Sequence, residues 1–436
     1  MQALALSVYR LLTWALPPLI RLRLKRRAAN EPLYGQWVEE RFGEYAQPPS
    51  RGWVWIHAVS LGETRAAAIL LRELREQVPG MKLLLTHGTA TGRAEGAKFL
   101  QPGDMQVWQP WDSASATQKF LTHFKPKIGI VMETEVWPNL CAAALKAGVP
   151  LILANARLNE KSASKARRLA LLAYPAYSSF AQVLAQTQSD AERLRAVGVA
   201  RVQLLGNVKY DVALQDDLVK QGQQFKASLA NKQVILLASS REGEEALFLE
   251  QIRRFAGVES AQSATESIAT KDQALIQWMI VPRHPQRFDE VQRLCEQMGL
   301  SVSRRSDWQG TPQAADIWLG DSMGEMQMYY ALADIALLGG SFEPLGGQNL
   351  IEAIAVGCPV VMGPHTFNFA EACEAAQDMQ AALRCADMAH AVPTAIHTVQ
   401  SPLGMTQIKQ RGRSWLTQSR GAAQRMARAI SVQLKP

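Results

Sequence analysis

Short apolar runs alternate with amphipathic stretches through most of the chain. Trp53–Val59 is apolar apart from His57, and Thr64–Gln77 then places Ile69, Leu70 and Leu74 on one helical face. Met81–Thr86, Lys127–Met132, Pro150–Ala154, Val183–Gln186 and Val202–Leu205 continue the strand series, with a helix predicted over Trp137–Ala147 and stopped by Gly148. Residues 211–230 lapse into polar, helix-like sequence. The alternation then restarts with Val234–Ala238, Trp278–Val281, Ile317–Leu319, Ile335–Leu338 and Pro359–Met362. Gly257–Asp272, rich in Ala, Ser, Thr and Gln, reads as a surface loop, and Met405–Val432 as basic and helical. Strands separated by helices predict parallel sheets with right-handed crossovers. At 436 residues the chain is long enough for two cores. The fold class is therefore α/β, with two Rossmann-like βα domains that share architecture without a close sequence repeat.

The predicted division is 1–30, an N-terminal helix with a basic flank, then 31–215, then 216–436 with the terminal helix. Ala3–Ile20 is largely apolar, and Pro17–Pro18 breaks its end. Arg21, Arg23, Lys25, Arg26 and Arg27 follow at once, and the whole chain carries a formal charge of +8. About 20 apolar residues are needed to span a bilayer, so a spanning helix, an interfacial helix and a soluble helix with a solvated flank all fit. The first two associate the chain with a membrane and keep its body on the cytoplasmic side. A secretory signal would carry its cations before the apolar stretch. Five scattered cysteines without a C-x-x-C pair, and seven histidines without a ligand motif, point to no metal, no cofactor and a reducing compartment. No aromatic-interleaved basic stripe suggests nucleic acid.

Candidate chemistry gathers where strands end, the place open α/β sheets bind ligands. Lys127–Met132 breaks into Glu133, Thr134 and Glu135 before Pro138 opens a helix. Glu133 and Glu135 point the same way if the backbone is extended. Glu63, beside Gly62 in the turn that begins at Ser60, is a candidate base; a helix-capping acid is its ordinary alternative. Arg157 ends another strand and could equally make a surface ion pair. His57, Ser60 and Glu63 hint at a hydrolase, but no G-x-S-x-G is present.

The second half carries glycine turns suited to a phosphate. Gly339, Gly340 and Ser341 end one strand, and Gly346–Asn349 opens the helix Leu350–Val356, with Glu352 in its first turn. Arg283 and His284 end a second strand, and Gly320–Met326, with Gly324 and Glu325, follows a third. Neither half contains G-x-G-x-x-G or G-x-x-x-x-G-K-[ST], which removes support for dinucleotide and P-loop chemistry. Two such domains facing a cleft describe GT-B glycosyltransferases, but also sugar-nucleotide epimerases and phosphorylases.

The motifs narrow this. Glu40–Gly43, Ile56–Glu63, Thr86–Gly92, Met132–Asn139, Asn155–Leu158, Gly206–Lys209, Pro282–Pro285, Gly320–Met326, Gly339–Ser341, Gly346–Asn349 and Gly363–His365 occur in order across nearly the whole chain. In them the sequence resembles the 3-deoxy-D-manno-octulosonic acid (Kdo) transferases of Gram-negative lipopolysaccharide synthesis. The resemblance implies an inverting, metal-independent GT-B enzyme. Its donor would be CMP-Kdo and its acceptor the tetraacylated lipid A precursor, at the cytoplasmic face of the inner membrane. Glu63 would be the general base, and Glu133 and Glu135 would position the sugar or acceptor. Arg283, Ser341, Asn349, Glu352 and the turn Gly324, Glu325, Met326 would hold CMP. Ser60, Gly62, Arg157, Lys209, His284 and Gly340 complete the substrate- and nucleotide-binding set. One departure stands at Arg241, where the family pattern has histidine. A GT-B enzyme using a UDP-sugar, or a non-catalytic lipid-binding module, would share much of this pattern.

Overall fold

The computed structural model describes residues 1–229, 232–256 and 276–434; the predicted loop Gly257–Asp272 lies outside them. The chain divides into two units, Met1–Asp211 with Ser419–Pro436, and Val212–Gln418.

The first unit is built on strands β1 (Trp53–His57), β2 (Lys82–His87), β3 (Met105–Trp108), β4 (Ile128–Met132), β5 (Leu151–Ala156), β6 (Gln182–Ala185) and β7 (Val202–Leu204). They form one parallel seven-stranded sheet in the order β3-β2-β1-β4-β5-β6-β7. The chain reverses its direction of winding between β1 and β4, so a crevice forms beyond the carboxyl ends of these two strands. Side chains alternate across the sheet. Trp53 and Trp55 pack on one face with Phe120, Phe124 and Val131. Val54 and Ile56 pack on the other, with Leu70, Leu74, Ile128 and Ile130.

The second unit repeats the plan with β8 (Gln233–Ser240), β9 (Ile276–Pro282), β10 (Val302–Arg304), β11 (Ile317–Leu319), β12 (Ile335–Leu338), β13 (Val360–Met362) and β14 (Ala382–Arg384). Its parallel order is β10-β11-β9-β8-β12-β13-β14, with the reversal between β8 and β12. β3, β10 and β14, which the hydrophobic pattern did not predict, are all outer strands of their sheets. An outer strand is short and paired on one side only, so it needs fewer apolar residues.

The terminal segment corrects the predicted division. Helix Pro402–Ser419 packs on the second unit, but helix Ala422–Leu434 joins the first. There Met426, Ala427 and Ile430 are buried against the core that holds Leu70 and Leu74. Burying side chains the size of Met426 and Ile430 contributes about 1.5–3 kcal/mol each. Asp211 caps this helix, its carboxylate accepting from the Gly421 N–H (2.5 Å) and the Ala423 N–H (2.7 Å).

The N-terminal helices Gln2–Ala15 and Pro17–Ala28 meet at a 50° bend, and no single helix among the described residues is long and apolar enough to cross a membrane. The first is tied to the unit along one face. The Tyr9 hydroxyl donates to Asp112 (2.8 Å), Arg10 Nε to Asn139 Oδ1 (3.4 Å), and Asn139 Nδ2 to Thr13 Oγ1 (3.2 Å). The other face exposes Leu4, Val8, Leu11, Leu12 and Trp14, and Leu19 and Leu22 continue it.

Candidate active site

In the first unit three carboxylates meet beyond the ends of β1 and β4. Ser60 leaves β1 in extended backbone and caps helix Leu61–Gln77: its Oγ accepts from the Glu63 N–H at 3.3 Å. Glu63 reaches back, and its Oε2 accepts from the Ser60 N–H at 3.1 Å and the Val59 N–H at 2.5 Å. This is a complete capping box. It also fixes the acid: only 8% of Glu63 is exposed, and Oε1 carries no hydrogen bond among the described residues. Burial and the charges of Glu135 and Glu133 push its pKa to about 7, against the opposing Ser60 and Val59 N–H groups. A carboxylate poised there can accept a proton at neutral pH.

Glu133 is not extended. Its φ of 55° is left-handed, a conformation that costs a non-glycine residue about 1–3 kcal/mol. The expectation that Glu133 and Glu135 point the same way from an extended strand therefore fails. Neighbouring backbone holds the turn, with the Glu133 N–H donating to Ala154 O (3.0 Å) and the Arg157 N–H to Glu133 O (3.2 Å). Lys209 Nζ lies 2.7 Å from Glu133 Oε1. Glu135 instead accepts from Trp137 Nε1 at 2.8 Å, and burial raises its pKa, with Glu133 adding to the effect.

A buried amide web places Lys209. Asn155, itself left-handed (φ 51°), sits where the register of β5 and β6 shifts, and its Oδ1 accepts from the Val208 N–H (3.1 Å). Gln186 Nε2 donates to Asn155 O (2.7 Å), and Asn207 Nδ2 to Gln186 Oε1 (3.0 Å). Asn207 Oδ1 then accepts from the Lys209 N–H (3.0 Å). The sequence patterns contain Asn155 and Asn207 but give no sign of this coupling. The Arg157 guanidinium is half-buried and makes no ion pair among the described residues. Gly62 is exposed, and a Cβ there would meet only Ser60 Oγ, at 4.0 Å, among the described residues.

His57, Ser60 and Glu63 do not assemble as a hydrolase triad. His57 Nδ1 shares a hydrogen bond with Thr86 Oγ1 (2.7 Å), and burial pulls its pKa to about 3, so it is a neutral core residue. Ser60 is occupied as a helix cap.

In the second unit a buried carboxylate meets the glycine turn after β12. Glu244, fully buried, accepts from the Gly340 N–H (2.7 Å) and the Phe342 N–H (3.0 Å). Ser341 is also fully buried; its hydroxyl donates to Leu338 O (2.5 Å) and accepts from the Gly363 N–H (2.8 Å). These atoms of Gly340 and Ser341 are occupied within the protein, where they shape the strand end. Gly339 is needed for close approach: a Cβ there would lie 2.3 Å from Ser239 O.

The remaining predicted residues ring the same edge. Arg241, Arg283 and His284 end β8 and β9; burial and the two arginines hold His284 below its usual pKa. Gly324 turns the chain with φ 85°, and Glu325 pairs with Arg305 (3.1 Å). Ser239 Oγ contacts Met326 Sδ at 3.8 Å. Asn349 caps its helix by accepting from the Ile351 N–H (3.0 Å), and Glu352 Oε1 accepts from Gln327 Nε2 (3.0 Å). Beneath them Arg287 joins Glu245 (2.7 Å) and Glu290 (3.1 Å). The Glu244–Glu245 pair after β8 was the available signal, since acids in a first helical turn attract backbone N–H groups.

Residues 36–212 match the family model described as 3-deoxy-D-manno-octulosonic-acid transferase (kdotransferase). The 3-deoxy-D-manno-octulosonic acid transferase of Bordetella pertussis is 42% identical, over 97% of this chain and 98% of its own. That of Haemophilus influenzae is 30% identical, over 94% of each chain. Among solved structures, the UDP-GlcNAc 2-epimerase of Neisseria meningitidis bound to UDP-GlcNAc superposes with a TM-score of 0.54. It does so at 14% identity, over 88% of this chain and 99% of its own, a likeness of fold alone. The paired parallel sheets are those of GT-B enzymes. The chain is a glycosyltransferase and belongs to the 3-deoxy-D-manno-octulosonic acid transferase family.

Proposed function

We propose that the protein transfers Kdo from CMP-Kdo to the tetraacylated lipid A precursor, in lipopolysaccharide synthesis at the cytoplasmic face of the inner membrane. The observation that carries this reading is Glu63, held by two backbone N–H groups among two other acids, with a pKa near 7. In the reaction an acceptor hydroxyl oxygen bonds to the anomeric carbon of Kdo while the bond from that carbon to the CMP phosphate breaks. The hydroxyl proton passes to Glu63, the bonding pair leaves with CMP, and the anomeric configuration inverts. Glu133, paired with Lys209, and Glu135, paired with Trp137, position hydroxyl groups of the sugar or the acceptor. Arg157 and the Ser60–Gly62 turn line the same side.

Arg241 and Arg283 supply positive charge for the CMP phosphate and His284 a neutral ring N–H, with Arg241 taking the place of the family histidine. Asn349, Glu352 and the Gly324–Met326 turn hold the rest of the nucleotide, and Gly340 and Ser341 keep that edge in shape. The exposed apolar face of the first helix, opposite its tethered polar face, supports interfacial seating on the membrane and not a span.

The test incubates detergent-solubilised wild type and Glu63→Ala with CMP-Kdo and the lipid A precursor, with products read by mass spectrometry. Kdo addition by wild type alone is the expected result, and no addition by folded wild type overturns the reading.

A further inference from the structure

A cavity of about 330 Å³ opens between helix Pro17–Ala28 and the loops that follow β1 and β2. Three arginines line it, Arg23, Arg27 and Arg41, together with Val59, Gly88 and Trp137. Val59 is the residue whose N–H binds Glu63, and Trp137 is the partner of Glu135, so the cavity adjoins the candidate acids. Ile20, Arg23, Leu24 and Arg27 all line it, a spacing that puts them on one helical face.

Arg41 makes no ion pair among the described residues. Its guanidinium lies 4.0 Å over the Trp108 ring and donates to Gly88 O at 3.0 Å, while its Nε is buried without a partner among the described residues. Glu40, next in sequence, is already committed to Arg93 (2.9 Å) and the Trp108 N–H (2.7 Å). Arg27 meets only the Tyr34 hydroxyl and ring, and Arg23 has no partner among the described residues. The one carboxylate on the wall, Asp112, is spent on the Tyr9 hydroxyl and the Asn139 and Leu140 N–H groups. Burying a cation without an anion is unfavourable, and a guanidinium fork matches phosphate oxygens in pairs. The remaining wall is mostly apolar apart from Thr89 and Gln109, and the exposed leucines of the first helices begin nearby with Leu19 and Leu22.

We propose that this cavity binds a phosphate monoester carried on an acylated lipid, the phosphate end of the acceptor. The assignment rests on the lipid acceptor reading above, and it directs the acyl chains over the exposed face of the first two helices. Lipid-bound phosphate and free phosphate share this chemistry, and the experiment separates them.

Full-length wild type, Arg41→Gln, Arg23→Gln and Arg27→Gln are titrated in detergent micelles doped with phosphatidic acid, with phosphatidylcholine, or with inorganic phosphate added. Intrinsic tryptophan fluorescence reports binding. Saturable binding of phosphatidic acid alone is expected, weakened about tenfold or more by Arg41→Gln, as for loss of a charge-assisted bond, and severalfold by each of the others. Arg23 and Arg27 are exposed, so their variants keep the test valid if Arg41→Gln fails to fold. Lys25→Gln removes equal charge from the same helix outside the cavity; a loss matching that of Arg41→Gln would reduce the effect to general charge and overturn the site. Equal binding of inorganic phosphate would overturn the lipid part. In parallel, the acceptor KM is expected to rise with the donor KM unchanged. Phosphatidic acid binding without Kdo transfer would reject the function and keep the cavity assignment, whereas transfer with an unchanged acceptor KM in all three variants would do the reverse.

Discussion

Glu63→Gln separates a catalytic carboxylate from a helix cap. The amide keeps an oxygen to accept the Val59 and Ser60 N–H bonds but cannot take a proton. In the folded protein the Glu63 pKa stands near 7 against the ordinary 4.5, a difference of about 3 kcal/mol at 1.36 kcal/mol per pKa unit. The sign follows from linkage. A raised carboxyl pKa means that the folded state holds the proton more tightly. The stability this contributes is therefore complete below pH 4.5 and lost as pH rises through about 7. The variant escapes that loss. Unfolding is to be followed by calorimetry and denaturant titration at pH 4 and pH 8. Glu63→Gln is expected to be more stable than wild type at pH 8, by up to about 3 kcal/mol relative to any difference at pH 4. The same variant should lose about 10²–10⁴-fold in kcat, the usual share of a general base. Wild-type kcat/KM should fall as pH drops below about 7, where Glu63 becomes protonated. Near-normal turnover, or a stability gap independent of pH, would refute the assignment and leave Glu63 as a cap.

Glu135→Gln removes the largest charge contribution to the raised Glu63 pKa, so the acid limb of the pH–rate profile should move to lower pH; an unmoved limb would show that the two acids do not communicate. Glu244→Ala leaves the Gly340, Phe342 and Arg241 N–H groups without their acceptor, at about 1–3 kcal/mol each. CMP affinity measured by calorimetry should fall even though Glu244 is buried away from the ligand, and wild-type affinity would refute the link. Leu11→Glu with Trp14→Glu changes only exposed side chains. It should cut sedimentation with anionic vesicles at unchanged melting temperature, and full retention would sink interfacial seating.

The inner strands and the position of Glu63 could be read from the chain because both are local. Trp53–His57 is apolar by itself, and Ser60 with Glu63 spells a capping box within four residues. What escaped depends on partners far away in sequence. Gly339 to Ser341 signals that something approaches closely, but whether a ligand or Glu244, about a hundred residues earlier, cannot be told from the run itself. Helix Ala422–Leu434 is visibly amphipathic, yet amphipathicity does not say which sheet receives it. Glu133 looked extended because its left-handed turn is set by contacts with Ala154 and Arg157.

The return of the last helix to the first unit has a consequence for synthesis. The chain leaves that unit at Asp211 and comes back only at Ser419. On the ribosome its first sheet therefore emerges with the seat for Met426 and Ile430 still empty, and waits while the whole second unit is made. Until the last helix clears the exit tunnel, an apolar surface meant for it stays open. A chain cut short at residue 418 would injure the acid-bearing half of the enzyme and spare the half in which the break lies.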